Sequence, residues 1–219
     1  MRFKTIILDF DGTIVESVGI KDSAFKELFK DYSQNLDEIM HYHLSHNATI
    51  RYEKFKYITE NILGRSYDMA VAQTLSEKFS SYVLSAIKKC PYVDGAKDFL
   101  DYYYKKVSLY LASITPSQEL DEVINFRGIR NYFKKIYAYP WTKIKVIKDV
   151  IDTECILKDE ILFIGDTFED YLAAQEAGVP FVGRDSNKSF RDANIPVHKD
   201  FIGIKNHITE EERKNRQNK

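Results

Sequence analysis

The sequence predicts a doubly wound α/β fold, in which helices cover a mainly parallel sheet and a helical module is inserted into the chain. Short β-rich runs, most of them nearly continuous in apolar residues, alternate with segments of helical periodicity, a pattern typical of a buried parallel sheet. The first two runs lie much farther apart than a crossover helix requires. A chain of 219 residues therefore fits one domain with an insertion better than two full-sized domains.

Strands and helix starts alternate along the chain. Ser117 and Thr142 each precede an amphipathic run, and Thr167 is placed to cap a helix that stops at Gly178. These helices would follow the second, third and fourth strands, as a parallel sheet requires. The five expected strands are residues 3–8, 107–112, 135–139, 161–164 and 179–183.

The insertion has the apolar spacing of helices in three stretches, around Phe25, Phe55 and Phe79. The last residues of the chain are almost all charged or amide, so we expect them to form a frayed end without a catalytic role. The predicted domains are a sheet core of residues 1–16 and 90–208, a helical module of residues 17–89 and a flexible tail of residues 209–219.

The composition excludes several classes of partner. A formal net charge of -1 creates no global field for nucleic acid or an anionic membrane. Two cysteines are too few for a disulfide framework and indicate a reducing compartment. No run approaches the ~18 apolar residues of a membrane span. We therefore expect a cytoplasmic protein with no nucleic-acid and no membrane partner.

Two carboxylates follow the first strand directly. Asp9 and Asp11 are two positions apart, so in extended backbone both side chains point to the same side, and Gly12 then allows the chain to turn. Carboxylates this close repel each other, so they require a cation, a shared proton or solvent. An ordinary acidic turn is the alternative interpretation.

Further polar residues occur near the ends of the later strands: Ser113, Lys143, Asp166 and Asp170. Because the carboxyl ends of parallel strands share one edge of the sheet, we expect them to converge there with Asp9. Asp166 and Asp170 are four apart, so we expect them on one helical face. Mg²⁺ prefers such carboxylate oxygens together with phosphate oxygen. The pattern predicts a phosphate site with a metal.

These residues resemble the motifs of the haloacid dehalogenase superfamily of aspartate-nucleophile hydrolases. The run Asp-Phe-Asp-Gly-Thr at 9–13 is similar to its first motif, Ser113 to its second, Lys143 to its third, and the run from Gly165 to Asp170 to its fourth. The helical insertion after the first motif resembles the cap of phosphoglycolate phosphatase-like members. The resemblance implies a Rossmann-like sheet and spans residues 3 to about 183.

The resemblance also implies roles. Asp9 would be the nucleophile that becomes an aspartyl-phosphate, and Asp11 the acid and base, while Ser113 and Lys143 would hold the phosphoryl oxygens. The implied cofactor is Mg²⁺ and the partner a small phosphorylated metabolite. The implied metal ligands are Asp9, Asp11 through its backbone carbonyl, Asp166 and Asp170, and the substrate-binding residues are Gly12, Thr13, Thr115 and Arg51.

The sequence departs from the family pattern in two places. Ile114 stands where the family often has Asn, so a polar contact is missing or is replaced by Thr115. The third motif offers both Lys143 and Lys145, and we prefer Lys143 because it follows the apparent cap Thr142.

Asp11 favours phosphate esters, because members that cleave carbon–halogen bonds or phosphonates lack an acid at that position. The expected function is a Mg²⁺-dependent phosphatase. The alternatives are a phosphomutase of the same superfamily and, outside enzymes, a receiver-like or catalytically inactive phosphate-binding protein. In the module, Arg51 lies in the polar segment 46–51 and would bind a substrate carboxylate or second phosphate, or be a solvated surface residue. We expect His41, His43 and His46 at the surface.

Overall fold

The sheet is wholly parallel and has the predicted doubly wound architecture. A computed structural model describes residues 1–46, 49–186, 190 and 194–217. Over those residues six parallel strands pair in the order β3-β2-β1-β4-β5-β6. The strands are β1 (Thr5–Leu8), β2 (Ser108–Pro116), β3 (Lys135–Tyr139), β4 (Ile161–Gly165), β5 (Phe181–Arg184) and β6 (Val197–His198).

The central strand β1 is flanked by β2 and β4, and all four of its residues are buried. Its carboxyl end therefore lies between the ends of the two strands that carry the other predicted site residues. Two features of the sheet were not predicted. Strand β2 continues past Ala112 to Pro116 through a register shift, and the two-residue β6 is too short to show a periodic pattern.

The chain divides into two compact units, residues 1–16 with 91–219, and residues 17–90. Two helices of the first unit begin at the predicted caps, whereas the helix expected after Ser117 includes Ser117 and has Pro116 as its N-cap. Thr142 and Thr167 are N-cap residues, and Gly178 ends its helix in the left-handed region at φ 74°. These helices are α5 (Ala96–Tyr103), α6 (Ser117–Phe126), α7 (Lys143–Glu154), α8 (Phe168–Ala177) and α9 (Phe201–Gln217).

The second unit consists of helices packed around aromatic residues. Phe25, Phe55 and Phe79 are buried, and their ring centroids lie 5.0 to 5.9 Å apart. The predicted apolar spacing therefore marks the core of this unit. Its helices are α1 (Val18–Leu28), α2 (Leu36–Ser45), α3 (Arg51–Tyr57), which continues into a π-helical turn at Ile58–Ile62, and α4 (Met69–Lys89).

Two sequence predictions are wrong. Residues 209–217 are helical rather than frayed, because α9 carries Ile208 into the core and Glu211 pairs with Arg2 beyond it. His43 is buried rather than exposed, because its ring stacks on Phe25. His41 and His46 are exposed as expected.

No helix among the described residues is long and apolar enough to cross a membrane.

Candidate active site

The loop after β1 is a tight turn held by its own backbone. The amide of Gly12 donates to the carbonyl of Val15 at 2.9 Å, and the amide of Ile14 donates to the carbonyl of Phe10 at 2.9 Å. Gly12 has φ 75°, a conformation in which a Cβ is strained, so glycine is required for the chain to turn away after Asp11. Asp9 is 7% exposed, and its amide donates to Ile164 of β4 at 2.9 Å.

Lys143, in the first turn of α7, lies between two carboxylates. Its Nζ donates to Oδ1 of Asp9, pairs with Oδ1 of Asp170 at 3.2 Å, and donates to the carbonyl of Ala112 at 2.8 Å. The other candidate, Lys145, is exposed. The lysine adjoining the cap Thr142 is therefore the one that reaches Asp9.

Ser113 and Thr115 follow Ala112, where the register of β2 shifts. Ser113 is buried, and its Oγ accepts the amide of Thr115 at 3.1 Å. The hydroxyl of Thr115 donates to Oδ2 of Asp11 at 2.9 Å. Thr115, expected to contact substrate, thus contacts the second aspartate of the loop.

The fourth motif is a helix cap as well as a source of carboxylates. Asp166 and Asp170 do not share a helical face as expected, because α8 begins at Phe168 and Asp166 precedes its cap Thr167. Thr167 and Asp170 form a reciprocal capping box, in which Oδ2 of Asp170 accepts the amide and the hydroxyl of Thr167 at 3.1 and 2.7 Å. Oδ1 of Asp170 remains directed at Lys143. A Cβ on Gly165 would lie 2.7 Å from the Asp170 side chain, so only glycine allows this approach.

Three buried carboxylates converge at the edge of the sheet. Oxygen atoms of Asp9, Asp166 and Asp170 lie within 4.8 Å of one another. Burial raises the pKa of Asp9 to about 6, with Lys143 opposing and Asp170 adding to the rise. Burial, then the charges of Asp9 and Asp170, raises the pKa of Asp166 well above its ordinary value.

The same cluster determines the charge of Lys143. Burial alone would lower its pKa, but the carboxylates of Asp170 and Asp9 raise it, so the ammonium persists across the neutral range. When all three carboxyl groups are ionised, their charge exceeds that of the one ammonium, and their oxygen atoms are the ligands that Mg²⁺ prefers. The residues therefore fit a divalent cation.

The sequence pattern of the haloacid dehalogenase-like hydrolases matches residues 6–184, which include every one of these site residues. The chain belongs to this family. The helical unit, residues 17–90, lies within the matched range of the hydrolase. A search of curated proteins finds no matching sequence.

Solved structures share the fold of this hydrolase at low identity. A predicted phosphoglycolate phosphatase from Haemophilus somnus is 17% identical with a TM-score of 0.73, over 95% of this chain and 99% of that one. CbbY from Rhodobacter sphaeroides, solved with xylulose-1,5-bisphosphate, is 14% identical with a TM-score of 0.70, over 91% and 95%. The magnesium-bound Bacillus subtilis protein YfnB is 18% identical with a TM-score of 0.67, over 93% and 97%.

Ser186 is a site residue that the sequence did not suggest. Its hydroxyl donates to Oδ2 of Asp166 at 2.7 Å, while the hydroxyl of Thr13 lies 3.4 Å from Oδ1 of the same carboxylate. Thr13, expected to contact substrate, thus lies beside Asp166 in the hydrolase. Ser186 follows β5 by two residues in an irregular segment, and no motif or periodicity marks it.

Arg51 of the hydrolase has partners inside the helical unit. Its guanidinium donates to Oγ of Ser80 at 3.0 Å and lies 4.6 Å from the ring centroid of Phe79. Arg51 is half-buried, and substrate binding by it stays a prediction. Asn47 and Ala48 of the same polar segment lie outside the described residues.

Proposed function

We propose that this hydrolase is a Mg²⁺-dependent phosphatase that cleaves a small phosphate monoester through an aspartyl-phosphate on Asp9. The observation that carries the proposal is the convergence of Asp9 with Asp166 and Asp170 beside the Lys143 ammonium. Asp11, on the same turn as Asp9, accepts a hydrogen bond from the hydroxyl of Thr115. We assign the attack on phosphorus to Asp9 and the proton transfer to Asp11.

In the first half of the reaction, an Asp9 carboxylate oxygen attacks phosphorus and the bond from phosphorus to the ester oxygen breaks. Asp11 transfers its proton to that oxygen, so the leaving group departs as a neutral alcohol. Lys143 offsets part of the charge on Asp9 and on the phosphoryl group, and Ser113 supplies a hydroxyl to a phosphoryl oxygen.

In the second half, water attacks phosphorus and the bond from phosphorus to Asp9 breaks. Asp11 accepts the proton of the attacking water, which regenerates the acid for the next cycle. Atoms and charge balance, since one water is consumed for each alcohol and phosphate released.

The residues that would hold Mg²⁺ are Asp9, Asp166 and Asp170, with the backbone carbonyl of Asp11. A bound cation would supply the positive charge that the carboxylate cluster and an incoming phosphate dianion together require. Ser186 and Thr13 restrain the Asp166 carboxylate from both sides.

The family and structures of the same fold support a small phosphorylated metabolite as the substrate. These structures include a protein named as a predicted phosphoglycolate phosphatase and one solved with a sugar bisphosphate. We infer that residues 17–90 act as a cap that selects among small phosphorylated metabolites, with Arg51 as a candidate anion contact. Gly12, Thr13 and Thr115 would form the wall around the phosphoryl group.

The test is phosphate release from a panel of sugar, hydroxy-acid and nucleotide monophosphates, with MgCl₂ and with EDTA. We expect release that requires Mg²⁺, loss of that release in Asp9→Asn, and full activity in Asp121→Asn, a matched change at an exposed carboxylate on α6. Phosphorus NMR of the products separates hydrolysis to inorganic phosphate from transfer within the substrate. A parent protein that releases no phosphate from any panel member with Mg²⁺ would contradict the proposal.

A further inference from the structure

Arg184, the last residue of β5, is a buried cation outside the carboxylate cluster. The residue is 5% exposed, and every nitrogen of its guanidinium has an acceptor. Nη1 donates to the carbonyl of Gly12 at 2.8 Å, Nε donates to the carbonyl of Lys199 at 3.1 Å, and Nη2 pairs with the carboxylate of Glu16. A buried guanidinium is costly unless it is paired and hydrogen-bonded, and here both conditions are met.

Two of these acceptors belong to the turn that carries the paired aspartates. Gly12 directly follows Asp11, and Glu16 ends the turn four residues later. The backbone amide of Glu16 donates to the carbonyl of Pro91 at 3.0 Å and so restrains this end of the turn. Arg184 therefore connects both ends of the segment 12–16 to the end of β5.

The geometry of the contact is specific to arginine. The planar fork of the guanidinium reaches three acceptors in fixed directions, whereas the point charge of a lysine does not. The carbonyl of Gly12 needs such a partner, because Gly12 is buried and the hydrogen bonds within the turn use its amide rather than its carbonyl.

We propose that Arg184 is a positioning residue, which holds the peptide after Asp11 so that the Asp11 carboxyl stays aligned with the leaving oxygen. The proposal rests on the proposed function, because it assigns the purpose of the alignment to proton transfer. Arg184 acts through Gly12 and does not contact the reacting groups itself.

The test uses Arg184→Lys and two substrates that differ in leaving group. A 4-nitrophenolate leaves without protonation, whereas the alkoxide of an alkyl phosphate requires the proton of Asp11. We expect kcat to fall about 100-fold on the alkyl phosphate and about 10-fold on 4-nitrophenyl phosphate, with KM little changed, because general acid catalysis is the part that is lost. Arg130→Lys, at an exposed arginine of the same unit, should retain both activities.

Equal losses on the two substrates would show that Arg184 is only structural and would overturn the proposal, as would unchanged kinetics. If Arg184→Lys lacks the circular dichroism of the folded parent, the same two substrates are tested with Glu16→Gln. Glu16 is partly exposed, and the side-chain oxygen of the new glutamine can still accept a hydrogen bond from Arg184. A change in the ratio of the two kcat values, in the same direction, supports the proposal, and an unchanged ratio overturns it.

A parent protein without phosphatase activity would contradict the proposed function, and the role of Arg184 is then decided separately by amide hydrogen exchange. The amides of Gly12, Ile14 and Val15 donate hydrogen bonds within the turn. We expect them to exchange about 10-fold faster in Arg184→Lys while amides of β4 keep their protection. Unchanged exchange in the turn would overturn the positioning role.

Discussion

The hydroxyl of Thr115 donates a 2.9 Å hydrogen bond to Oδ2 of Asp11, a residue 104 positions earlier in the chain. The contact crosses from the irregular part of β2 to the turn after β1, and it restrains the carboxylate that we assign to proton transfer. The Thr115 hydroxyl therefore supplies a polar contact next to Ile114, and its replacement of the Asn of the family pattern stays a prediction.

Replacing Thr115 by valine should lower kcat by about 10- to 100-fold, because an isosteric methyl group no longer orients the acid. KM should change little, since the loss falls on the chemical step. Steady-state kinetics on an alkyl phosphate measure both constants. Thr115→Ser keeps the hydroxyl and is the control, and equal activity in the valine and serine variants would contradict the role.

Replacing Lys143 by methionine should destabilise the protein at pH 7, because it leaves the carboxylates of Asp9 and Asp170 buried without an ammonium. Breaking a buried ion pair typically costs ~3–5 kcal/mol, and Lys143 is nearly buried. Urea unfolding in EDTA measures the free energy of unfolding. Lys145→Met is the matched control, since Lys145 is exposed, and a larger loss in that variant would contradict the assignment of the third motif to Lys143.

Magnesium should stabilise the protein more at pH 7 than at pH 5. The pKa of Asp9 is raised from 3.8 to about 6 in the folded protein, so the stability that its protonated form contributes is complete below about pH 4 and is lost as the pH rises through about 6. Cation binding needs the ionised carboxylates and competes with these protons at low pH.

Thermal unfolding with and without MgCl₂ at the two pH values measures this effect. The shift in Tm should be larger at pH 7, should vanish in Asp166→Asn, and should persist in Asp121→Asn. A shift of equal size at both pH values would show that the cation does not displace protons from these carboxylates.

The helical unit should lose stability on mild acidification because of His43. Burial lowers the pKa of this ring below its ordinary 6.5, an effect that the nearby charge of Lys54 reinforces and the hydrogen bond with Asp22 opposes. A lowered folded-state pKa means that the stabilising contribution is present above pH 6.5 and is lost as the pH falls through the folded-state value.

Urea unfolding of the parent and of His43→Gln, at pH 7.5 and pH 5.5, tests this. The difference between the two pH values should be smaller in His43→Gln, while the exposed control His41→Gln should behave as the parent. If His43→Gln and the parent show the same pH dependence of stability, the titrating group is not His43.

Patterns within one segment were sufficient for most of the strands and for the caps of α7 and α8. Apolar runs located β1, β3 and β4, and Thr167 with Gly178 marked both ends of α8. β6 was missed, because two residues carry no periodicity. The end of α9 was also missed, because its stability depends on a contact between Glu211 and Arg2 at opposite ends of the chain.

The sequence by itself determined the alternation of strands and helices, the position of the insertion and the acidic residues that follow β1 and β4, because these depend on local spacing and residue type. Only the tertiary structure decided which side chains meet: Lys143 rather than Lys145 at Asp9, Thr115 at Asp11, Ser186 at Asp166 and Arg184 at Gly12. The physical reason is that hydrogen bonds form between atoms brought within about 3 Å by strand order and register, and no pattern along one segment encodes a distance between two segments.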